Sequence, residues 1–311
     1  MRALVTGGAG FIGSHVVQRL LEAGHEVVVL DNFFSGKREN LSAVAQDVRI
    51  VEGDVRDAAC VEASAVGCEV VFHQAAIVSV PRSVERPQES HDVNIQGTLN
   101  VLQAARAAGV RRVVFASSAA VYGAEPTLPK TETMLPEPIS PYGVEKLTGE
   151  HYLRTWSELF GLETVALRYF NVFGPRQEPS SPYSGVISVF VDRIRGGRTI
   201  QFFGDGRQCR DFVFVSNVVD ANMLASTREG VSGKVFNIAC GARTSLLELA
   251  AMIEKAAGRT VERSFAEPRA GDIKDSVADV RRARAELGYA PAVDVEEGIR
   301  RLVAHVRLVS P

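Results

Sequence analysis

Residues 1–31 read MRALVTGGAGFIGSHVVQRLLEAGHEVVVLD, and this stretch decides the fold. A short apolar strand at 3–5 runs into a turn that carries glycine at every third position. A stretch with helical periodicity follows at 11–23, and a second apolar strand at 26–30 ends at Asp31. Strand, glycine turn, helix, strand and acidic residue, in this order, predict a βαβ unit that binds a dinucleotide.

The glycines of the turn are Gly7, Gly10 and Gly13. Glycine at these positions allows a tight turn, a close approach of the backbone to a pyrophosphate, and close packing of the helix on the strand. The free N–H groups and the dipole at the start of the helix favour an anion there. We therefore expect the pyrophosphate of the cofactor to lie at this turn.

Asp31 bears on the choice of cofactor. A carboxylate at the end of the second strand accepts hydrogen bonds from a ribose 2′-hydroxyl but repels a 2′-phosphate, which requires a nearby arginine. Asn32 follows Asp31, so the sequence favours NAD over NADP. Lys37 and Arg38, further along the same loop, leave NADP as the alternative.

The composition excludes several classes of protein. The chain has 311 residues, enough for a large core and a second, smaller domain. A formal net charge of −2, with dispersed basic residues, disfavours a nucleic-acid partner. The four cysteines and six histidines show no metal-ligand spacing, so we expect no metal site. There is no signal peptide and no apolar run of about 18 residues, so we expect a soluble, cytoplasmic protein without a membrane partner.

Apolar strands and helical stretches alternate through the first half of the chain. We expect strands at 48–51, 70–73, 112–117 and 164–169, and helices near 56–65, 83–108 and 141–160. Near-continuous apolar strands with intervening helices predict a parallel sheet covered on both faces. The predicted fold class is α/β, a Rossmann-type doubly wound parallel sheet with a smaller mixed α/β C-terminal substrate domain. The first domain is placed at 1–170, with later elements returning to it, and the second at 171–311.

A tyrosine and a lysine stand four residues apart in the segment SPYGVEK, residues 140–146. This spacing puts Tyr142 and Lys146 on one face of a helix, where the ammonium can stabilise a phenolate. Bringing the phenol pKa from about 10 to near neutrality needs roughly 4 kcal/mol, which one close ammonium and a second cation can supply. The pair is therefore a candidate general base, and the βαβ unit supports it because the spacing alone also arises by chance.

Six segments carry a resemblance to a known family: TGGAGFIGSH (6–15), FASSAAVYG (115–123), SPYGVEK (140–146), LRYFNVFGPRQ (167–177), GDGRQCRDF (204–212) and PRAGD (268–272). On these segments the chain resembles the extended short-chain dehydrogenase/reductases that act on nucleotide-diphosphate sugars. It is most similar to the UDP-hexose 4-epimerases for UDP-glucose/UDP-galactose and UDP-N-acetylglucosamine. The resemblance covers essentially the whole chain, and it implies a bound NAD cofactor and a UDP-sugar substrate.

The resemblance also implies roles for the catalytic residues. Tyr142 would take the proton from O4 of the sugar, Lys146 would be its charge partner and a ribose ligand, and Ser118 would hydrogen-bond to O4. Hydride would leave C4 for the nicotinamide, and the resulting 4-keto sugar would turn about its diphosphate anchor before the hydride returns on the opposite face. This cycle requires tight binding of UDP, weak binding of the sugar, and an NAD that stays bound.

The strand ends and the resemblance together imply the residues that line the site. The expected cofactor-binding residues are Gly7, Gly10, Phe11, Ile12, Gly13, Asp31, Asn32, Ser35, Gly36, Asp54, Val55, Gln74, Ala75, Ala76, Asn94, Ser117, Tyr142, Lys146, Tyr169, Asn171 and Val172. The expected substrate-binding residues are Ser79, Ser118, Tyr142, Asn171, Gly185, Val186, Gln201, Phe203, Arg210, Arg269, Asp272 and Ser276. Among these, the two arginines suit the diphosphate, because a guanidinium binds phosphate through paired hydrogen bonds.

Three positions bear on the choice between neighbouring activities. Related dehydratases and decarboxylases carry acidic residues after the catalytic hydroxyl, where this chain has Ala119 and Ala120, which transfer no proton. The resemblance implies that Ser276 lies beside the C2 substituent of the sugar, where its small side chain would leave room for an N-acetyl group. UDP-glucose/UDP-galactose alone and UDP-glucuronate stay open as alternatives. The retained catalytic residues disfavour a non-catalytic NAD-binding regulator.

The long helices predicted near 83–108 and 141–160 have apolar positions on more than one face, among them Leu99, Leu102, Leu147 and Leu153. Both faces of each helix could pack within one chain. The resemblance instead implies a homodimer, formed through a bundle of these two helices from each chain.

Overall fold

The strands and helices follow one another in the alternating order that the sequence predicts. The computed structural model describes residues 1–178, 185–268 and 274–309, apart from the side chains of 307–309. Its strands are β1 (Arg2–Thr6), β2 (Glu26–Asp31), β3 (Val48–Glu52), β4 (Val70–His73), β5 (Arg112–Ser118), β6 (Glu163–Tyr169), β7 (Asn171–Phe173), β8 (Ile200–Phe203), β9 (Cys209–Arg210), β10 (Phe212–Phe214), β11 (Lys234–Ile238), β12 (Thr244–Ser245), β13 (Arg263–Ala266) and β14 (Asp275–Ser276). Its helices are α1 (Phe11–Glu22), α2 (Ala58–Ala65), α3 (Val80–Glu85), α4 (Pro87–His91), α5 (Gly97–Ala107), α6 (Pro141–Phe160), α7 (Val186–Arg195), α8 (Val215–Thr227), α9 (Leu246–Ala257) and α10 (Val295–Val309).

A seven-stranded parallel sheet lies at the centre of the fold, in the order β11-β6-β5-β4-β1-β2-β3. The direction of strand succession reverses between β1 and β4, and this reversal is the switch point at which doubly wound sheets bind ligands. The predicted Rossmann-type α/β fold is confirmed.

Both faces of the sheet are buried, as the apolar strands predict. On β1, Leu4 belongs to the core on one face together with Leu102 of α5, while Val5 belongs to the core on the other face together with Val17 of α1. All four side chains are at most 1% exposed. Burial of each such side chain contributes about 1.5–3 kcal/mol, so the sheet forms a rigid platform for the residues at its strand ends.

One predicted helix is wrong in its extent. The stretch at 83–108 is divided into α3, α4, a π-helical turn at Asp92–Gln96, and α5. Pro87 lies at the first turn of α4, and the preceding Arg86 has left the helical conformation, with φ −135° and ψ 64°. The break follows from the missing N–H of proline and from the steric restriction that it imposes on the residue before it.

In its described ranges, the chain beyond residue 170 forms three short sheets, which we call the overlying layer, and its first strand, β7, follows directly from the carboxyl end of β6. Strand β8 pairs with β13, β9 pairs with β12 and β14, and β10 pairs with β7. Two later elements return to the central sheet: β11 extends it beside β6, and α8 packs against α1, β5 and β6. The boundary between domains at residue 170 stays a prediction.

Within the described ranges, no helix combines the length and the apolar character needed to cross a lipid bilayer.

Candidate active site

Helix α6 begins at the edge of the sheet where the strands end. Ser140 caps it, and its Oγ accepts a hydrogen bond from the Gly143 N–H at 3.2 Å. A Cβ on Gly143 would lie 2.8 Å from the Ala120 carbonyl oxygen, so glycine is needed for the helix to approach the turn after β5. The Tyr142 N–H donates to Ser83 Oγ at 3.1 Å, which ties the start of α6 to α3. These contacts place Tyr142 in the first turn of α6, beside the end of β5.

The three predicted catalytic residues lie together at this point. The side chains of Tyr142 and Lys146 are buried, with the residues 8% and 3% exposed. Lys146 Nζ donates to the Ala116 carbonyl oxygen at 2.8 Å and lies 5.9 Å from the centre of the Tyr142 ring. Ser118, the last residue of β5, is close enough to the Tyr142 hydroxyl to lower its pKa, and its Oγ accepts a hydrogen bond from the Ala120 N–H at 3.1 Å.

Burial dominates the ionisation of the pair in the protein alone. It raises the pKa of the Tyr142 phenol to about 12, the nearby Ser118 hydroxyl lowers this pKa less, and the Glu145 carboxylate raises it further. Burial also lowers the pKa of Lys146 to about 8, against the opposing effects of Glu145 and Glu150. Loss of hydration thus penalises the phenolate more than the protein groups stabilise it, and a phenol pKa near neutrality, which also requires a second cation, stays a prediction.

The glycine turn fits a pyrophosphate. A Cβ on Gly13 would lie 2.1 Å from the Gly7 carbonyl oxygen, and one on Gly7, where φ is +68°, would lie 2.7 Å from the Ala75 nitrogen. A Cβ on Gly10 would meet only the Gly7 carbonyl oxygen, at 3.2 Å, so the side of Gly10 away from the turn is left to a ligand. No side chain caps the helix at Gly10, so the backbone N–H groups of the first turn, which includes Phe11 and Ile12, are available to phosphate oxygens.

Asp31 closes the loop that follows the second strand. Its carboxylate accepts hydrogen bonds from the Ala9 and Phe33 N–H groups, both at 2.8 Å. A Cβ on Gly36 would lie 2.8 Å from this carboxylate, so glycine lets the loop pass over it. Burial raises the pKa of Asp31, and the two backbone hydrogen bonds oppose that rise. Each carboxylate oxygen keeps a further lone pair with which it can accept a ribose hydroxyl.

The two basic residues of this loop are paired with acidic residues. Lys37 ion-pairs with Glu178, and Arg38 ion-pairs with Glu52 while its guanidinium stacks 4.1 Å from the centre of the Phe33 ring. These pairings favour NAD over NADP, since neither cation is held toward the carboxylate of Asp31. Ser35 lies exposed in the same loop.

Three of the predicted cofactor-binding residues follow the ends of β2 and β3. Asn32 Nδ2 donates to Asp54 Oδ2 at 2.8 Å. Asp54 is bound by the Arg56 guanidinium, which lowers the pKa of the carboxyl to about 2. Val55 is buried, and a Cβ on Gly97 would meet its Cγ2 at 2.6 Å. The side chains of Asn32 and Asp54 thus form one hydrogen-bonded group.

A second polar group lies where β4 and β6 end. Gln74 Nε2 donates to the Tyr169 hydroxyl at 3.2 Å, and Asn222 Nδ2 of α8 donates to the same hydroxyl at 2.8 Å. Ala75 and Ala76, half-buried, continue the chain from Gln74, and the Ala75 N–H donates to Thr6 Oγ1 at 3.3 Å. Sequence reasoning missed Asn222, which approaches from 148 residues away and belongs to no motif.

Two predicted cofactor ligands have side chains that are used within the protein. Asn94 bonds to both the N–H and the carbonyl of Ile77, at 2.8 and 2.9 Å, and donates to Glu145 at 2.6 Å. Ser117 Oγ donates to the buried carboxylate of Glu150 at 2.5 Å. The hydrogen-bond donors of both side chains are therefore used within the protein.

Some of the predicted substrate-binding residues lie at the start of α3 and at β7. Ser79 caps α3, and its Oγ accepts a hydrogen bond from the Arg82 N–H at 3.1 Å. Asn171 Nδ2 donates to the Asp211 carbonyl oxygen at 3.2 Å. A cavity of about 90 Å³ beside it is lined by Asn171, Val172, Phe173, Gln177, Gly185, Val186, Ile187 and Phe212.

The remaining substrate residues lie on the short sheets of the overlying layer. Gln201 and Phe203 lie on β8, and Ser276 of β14 is opposite Arg210 of β9 in the strand register. The Arg210 guanidinium donates to the carbonyl oxygens of Cys209 and Lys274, both at 3.0 Å. Arg269 and Asp272 lie outside the described residues.

Comparison with known proteins assigns the chain to a family. The sequence profile of the NAD dependent epimerase/dehydratase family matches residues 3–239. The chain belongs to this family. NAD is therefore its cofactor, in agreement with the glycine turn and with Asp31.

Several known proteins are similar to this chain over nearly their full lengths. It is 44% identical to the UDP-glucose 4-epimerase of Mycolicibacterium smegmatis, over 311 residues and 99% of each chain. The structure of the Thermus thermophilus UDP-glucose 4-epimerase in complex with NAD superposes with a TM-score of 0.90 at 40% identity, over 100% of each chain. The UDP-N-acetylglucosamine 4-epimerase of Methanobrevibacter ruminantium, in complex with UDP-N-acetylmuramic acid, superposes with a TM-score of 0.95 at 37% identity, over 99% of each chain.

Sequence reasoning missed two buried titratable residues of this family member. His73, at the end of β4, is hydrogen-bonded to Thr6 at 2.8 Å and to Thr98 at 3.0 Å, and burial lowers its pKa to about 3, with a smaller effect from Lys146. Asp211 accepts backbone N–H groups of Cys240, Gly241 and Ala278 at 2.9–3.2 Å, and burial raises its pKa to about 6. Asp211 thus joins its own segment to the segment after β11 and to the segment after β14, a role that leaves no signal in local sequence.

Proposed function

We propose that this protein is an NAD-dependent UDP-sugar 4-epimerase, which inverts the C4 hydroxyl of a UDP-hexose through a transient 4-keto sugar. The observation that carries the proposal is the convergence of Tyr142, Lys146 and Ser118 at the switch-point edge of the sheet, beside a turn that fits a pyrophosphate. The full-length similarity to named UDP-glucose 4-epimerases supports the choice of reaction within the family.

In this proposal Tyr142 is the base that takes and returns the O4 proton, and Ser118 holds O4 by a hydrogen bond. NAD, when bound, supplies the hydride acceptor and donor, and the positive charge of its nicotinamide is the further cation that the phenol requires. A phenol pKa of about 12 in the protein alone must fall by four to five units to reach neutrality, which corresponds to roughly 6 kcal/mol. Lys146 alone does not provide this, so we expect proton abstraction only in the loaded enzyme.

The diphosphate of the substrate should be bound more tightly than its sugar. Arg210 and Asn171 are held by carbonyl oxygens of the overlying layer, and from there they are proposed to bind the diphosphate, together with Arg269. The sugar would instead face the apolar side chains of Ala119 and Ala120, in the turn after β5, which hold no fixed polar partner for a hydroxyl. A keto sugar anchored only at its diphosphate is free to turn over, which inversion requires.

The sugar is proposed to include N-acetylhexosamines. Ser276 is only half-buried and has a small side chain, which leaves space beside C2, and a UDP-N-acetylglucosamine 4-epimerase is among the similar structures. UDP-glucose/UDP-galactose alone and UDP-glucuronate are the alternatives. Incubation with UDP-galactose, UDP-N-acetylgalactosamine and UDP-glucuronate in turn, followed by NMR of the products, separates the three.

Tyr142→Phe tests the assignment of the base. The variant should lose conversion by a factor of about 10² or more, because the proton acceptor is gone, while it keeps its fold and its bound NAD. The matched control is Tyr152→Phe, which changes an aromatic residue further along the same helix. Conversion by Tyr142→Phe at the wild-type rate would overturn the assignment, and absence of conversion of every UDP-sugar by the wild type would overturn the proposed function.

A homodimer formed through α6 and its neighbours is also proposed. Of the apolar residues singled out in the sequence, Leu102 and Leu153 are buried within the chain, while Leu99 and Leu147 are half-buried. Val144 of α6 and Val84 of α3 remain 48% and 61% exposed, and their burial by a second copy would remove apolar surface from water. Light scattering at micromolar concentration should give twice the mass of one chain, and a monomer mass would contradict the proposal.

A further inference from the structure

Glu145 is a buried carboxylate inside the catalytic helix. It lies between Tyr142 and Lys146 in α6 and is 3% exposed. Its Oε2 accepts hydrogen bonds from Ser90 Oγ at 2.7 Å and from Asn94 Nδ2 at 2.6 Å. The roles proposed for the catalytic triad do not use it.

The carboxylate of Glu145 has no ordinary charge partner. Among the described residues, no lysine, arginine or histidine lies within the 4.0 Å of an ion pair with it. Glu150, the other buried acidic residue facing Lys146, contrasts with it, because the Arg168 guanidinium binds Glu150 at 2.6 Å. An unpaired buried charge is costly, so the position calls for a compensating role.

We propose that Glu145 is a positioning residue of the catalytic pair, whose buried charge keeps Lys146 protonated and whose hydrogen bond to Asn94 holds the Ile77 segment against α6. This inference rests on the proposed function of Tyr142 and Lys146. It adds a third titratable member to a site that the motif alone describes with two.

The electrostatic part follows from the groups that face Lys146. These are Tyr142, Glu145 and Glu150 on its own helix and His73 on β4, and the Tyr142 phenol is neutral. His73 is neutral in the folded protein, because burial lowers its pKa to about 3, and the charge of Glu150 is offset by Arg168. Glu145 therefore carries the uncompensated negative charge of the group, and it raises the pKa of both Lys146 and Tyr142.

The geometric part of the proposal depends on the hydrogen bonds of Asn94. The same amide that donates to Glu145 clamps Ile77, accepting from its N–H at 2.8 Å and donating to its carbonyl at 2.9 Å. Ile77 belongs to the segment that leaves β4 and begins with Gln74. Glu145 thus links the helix that carries the base to the segment that follows β4.

Glu145→Gln removes the charge with little change of shape. Oε1 of Glu145 accepts no hydrogen bond from any residue in the described ranges, so a glutamine can place its carbonyl at the Oε2 position and its amide group at the Oε1 position. In the NAD-loaded enzyme, the Lys146 titration is followed by NMR of ¹³C-labelled lysine and assigned by its loss in Lys146→Met. The midpoint in Glu145→Gln should lie roughly one pH unit below that of the wild type. Both limbs of the pH profile of epimerisation should move to lower pH together with it.

Ser90→Ala is the matched control, because it removes a hydrogen bond to the same oxygen and keeps the charge. It should lower stability without moving the Lys146 midpoint, and Glu145→Asp, which also keeps the charge, should leave the midpoint near that of the wild type. If Glu145→Gln does not fold, Glu145→Ser provides the same neutral test. An unchanged Lys146 midpoint in the neutral variants overturns the inference. A shifted midpoint supports it even if the wild type converts no UDP-sugar, a result that would overturn the proposed function alone.

Discussion

Replacement of Arg168 by methionine should strongly destabilise the fold. Arg168 lies on β6 and Glu150 on α6, and both side chains are 4% exposed. The guanidinium donates to both carboxylate oxygens, from Nε at 2.8 Å and from Nη2 at 2.6 Å, and it stacks 4.7 Å from the centre of the Tyr122 ring. In Arg168→Met, the Glu150 carboxylate would keep only the hydrogen bond from Ser117.

The size of the effect follows from this geometry. Two unit charges about 4 Å apart attract by roughly 4 kcal/mol at an effective dielectric constant of 20, and a buried charge left unpaired adds its desolvation penalty. Removal of one partner of a buried pair typically costs about 3–5 kcal/mol, and we expect Arg168→Met to fall in that range. Glu150→Gln/Arg168→Met should recover part of the loss, because no charge is then left buried.

Urea unfolding followed by circular dichroism measures these differences. Arg154→Met is the control, because the Arg154–Glu158 pair is 64% and 67% exposed and exposed pairs contribute at most about 1 kcal/mol. A loss below about 1 kcal/mol in Arg168→Met, or a double variant no more stable than the single one, would refute the reasoning.

Two further predictions concern the cofactor turn and the buried histidine. Gly13→Ala should weaken NAD binding at least about tenfold in a fluorescence titration, because the new Cβ would lie 2.1 Å from the Gly7 carbonyl oxygen and open the turn; wild-type affinity would contradict this. His73 has a folded pKa of about 3 against about 6.5 unfolded, so its contribution is present above about pH 6.5 and is lost as the pH falls toward 3. Between pH 7 and pH 5 the wild type should lose about 2 kcal/mol more stability than His73→Asn in urea unfolding, and equal losses would exclude this role for His73.

Local patterns account for the elements that the sequence predicts well. The βαβ unit at 1–31 is encoded by glycines, periodicity and an acidic residue within one short stretch, and its strands and helix end within a residue of their predicted limits. Tyr142 and Lys146 share a helix face because the spacing of four is a property of the helix itself. The helix predicted near 83–108 is less accurate, because Pro87 breaks a stretch whose apolar periodicity continues on both sides.

Contacts between distant parts of the chain account for what the sequence does not predict. Asn222 meets Gln74 and Tyr169 only through the packing of α8 on the sheet. The pKa of Tyr142 could not be predicted from its spacing to Lys146, because the decisive cause is burial, which depends on the whole fold. Glu145 stands inside the recognised motif, yet its importance emerges only from the folded contacts with Ser90 and Asn94.

The position of β11 beside β6 has a consequence for synthesis on the ribosome. The central sheet is complete only when residues 234–238 have been made and have added to the edge of β6. Until then, β6 presents unpaired N–H and carbonyl groups along one side, and such an edge can recruit strands from other nascent chains. A fragment that ends near residue 170 would keep this open edge permanently, so we expect the cofactor-binding half to aggregate when it is expressed without its downstream strand.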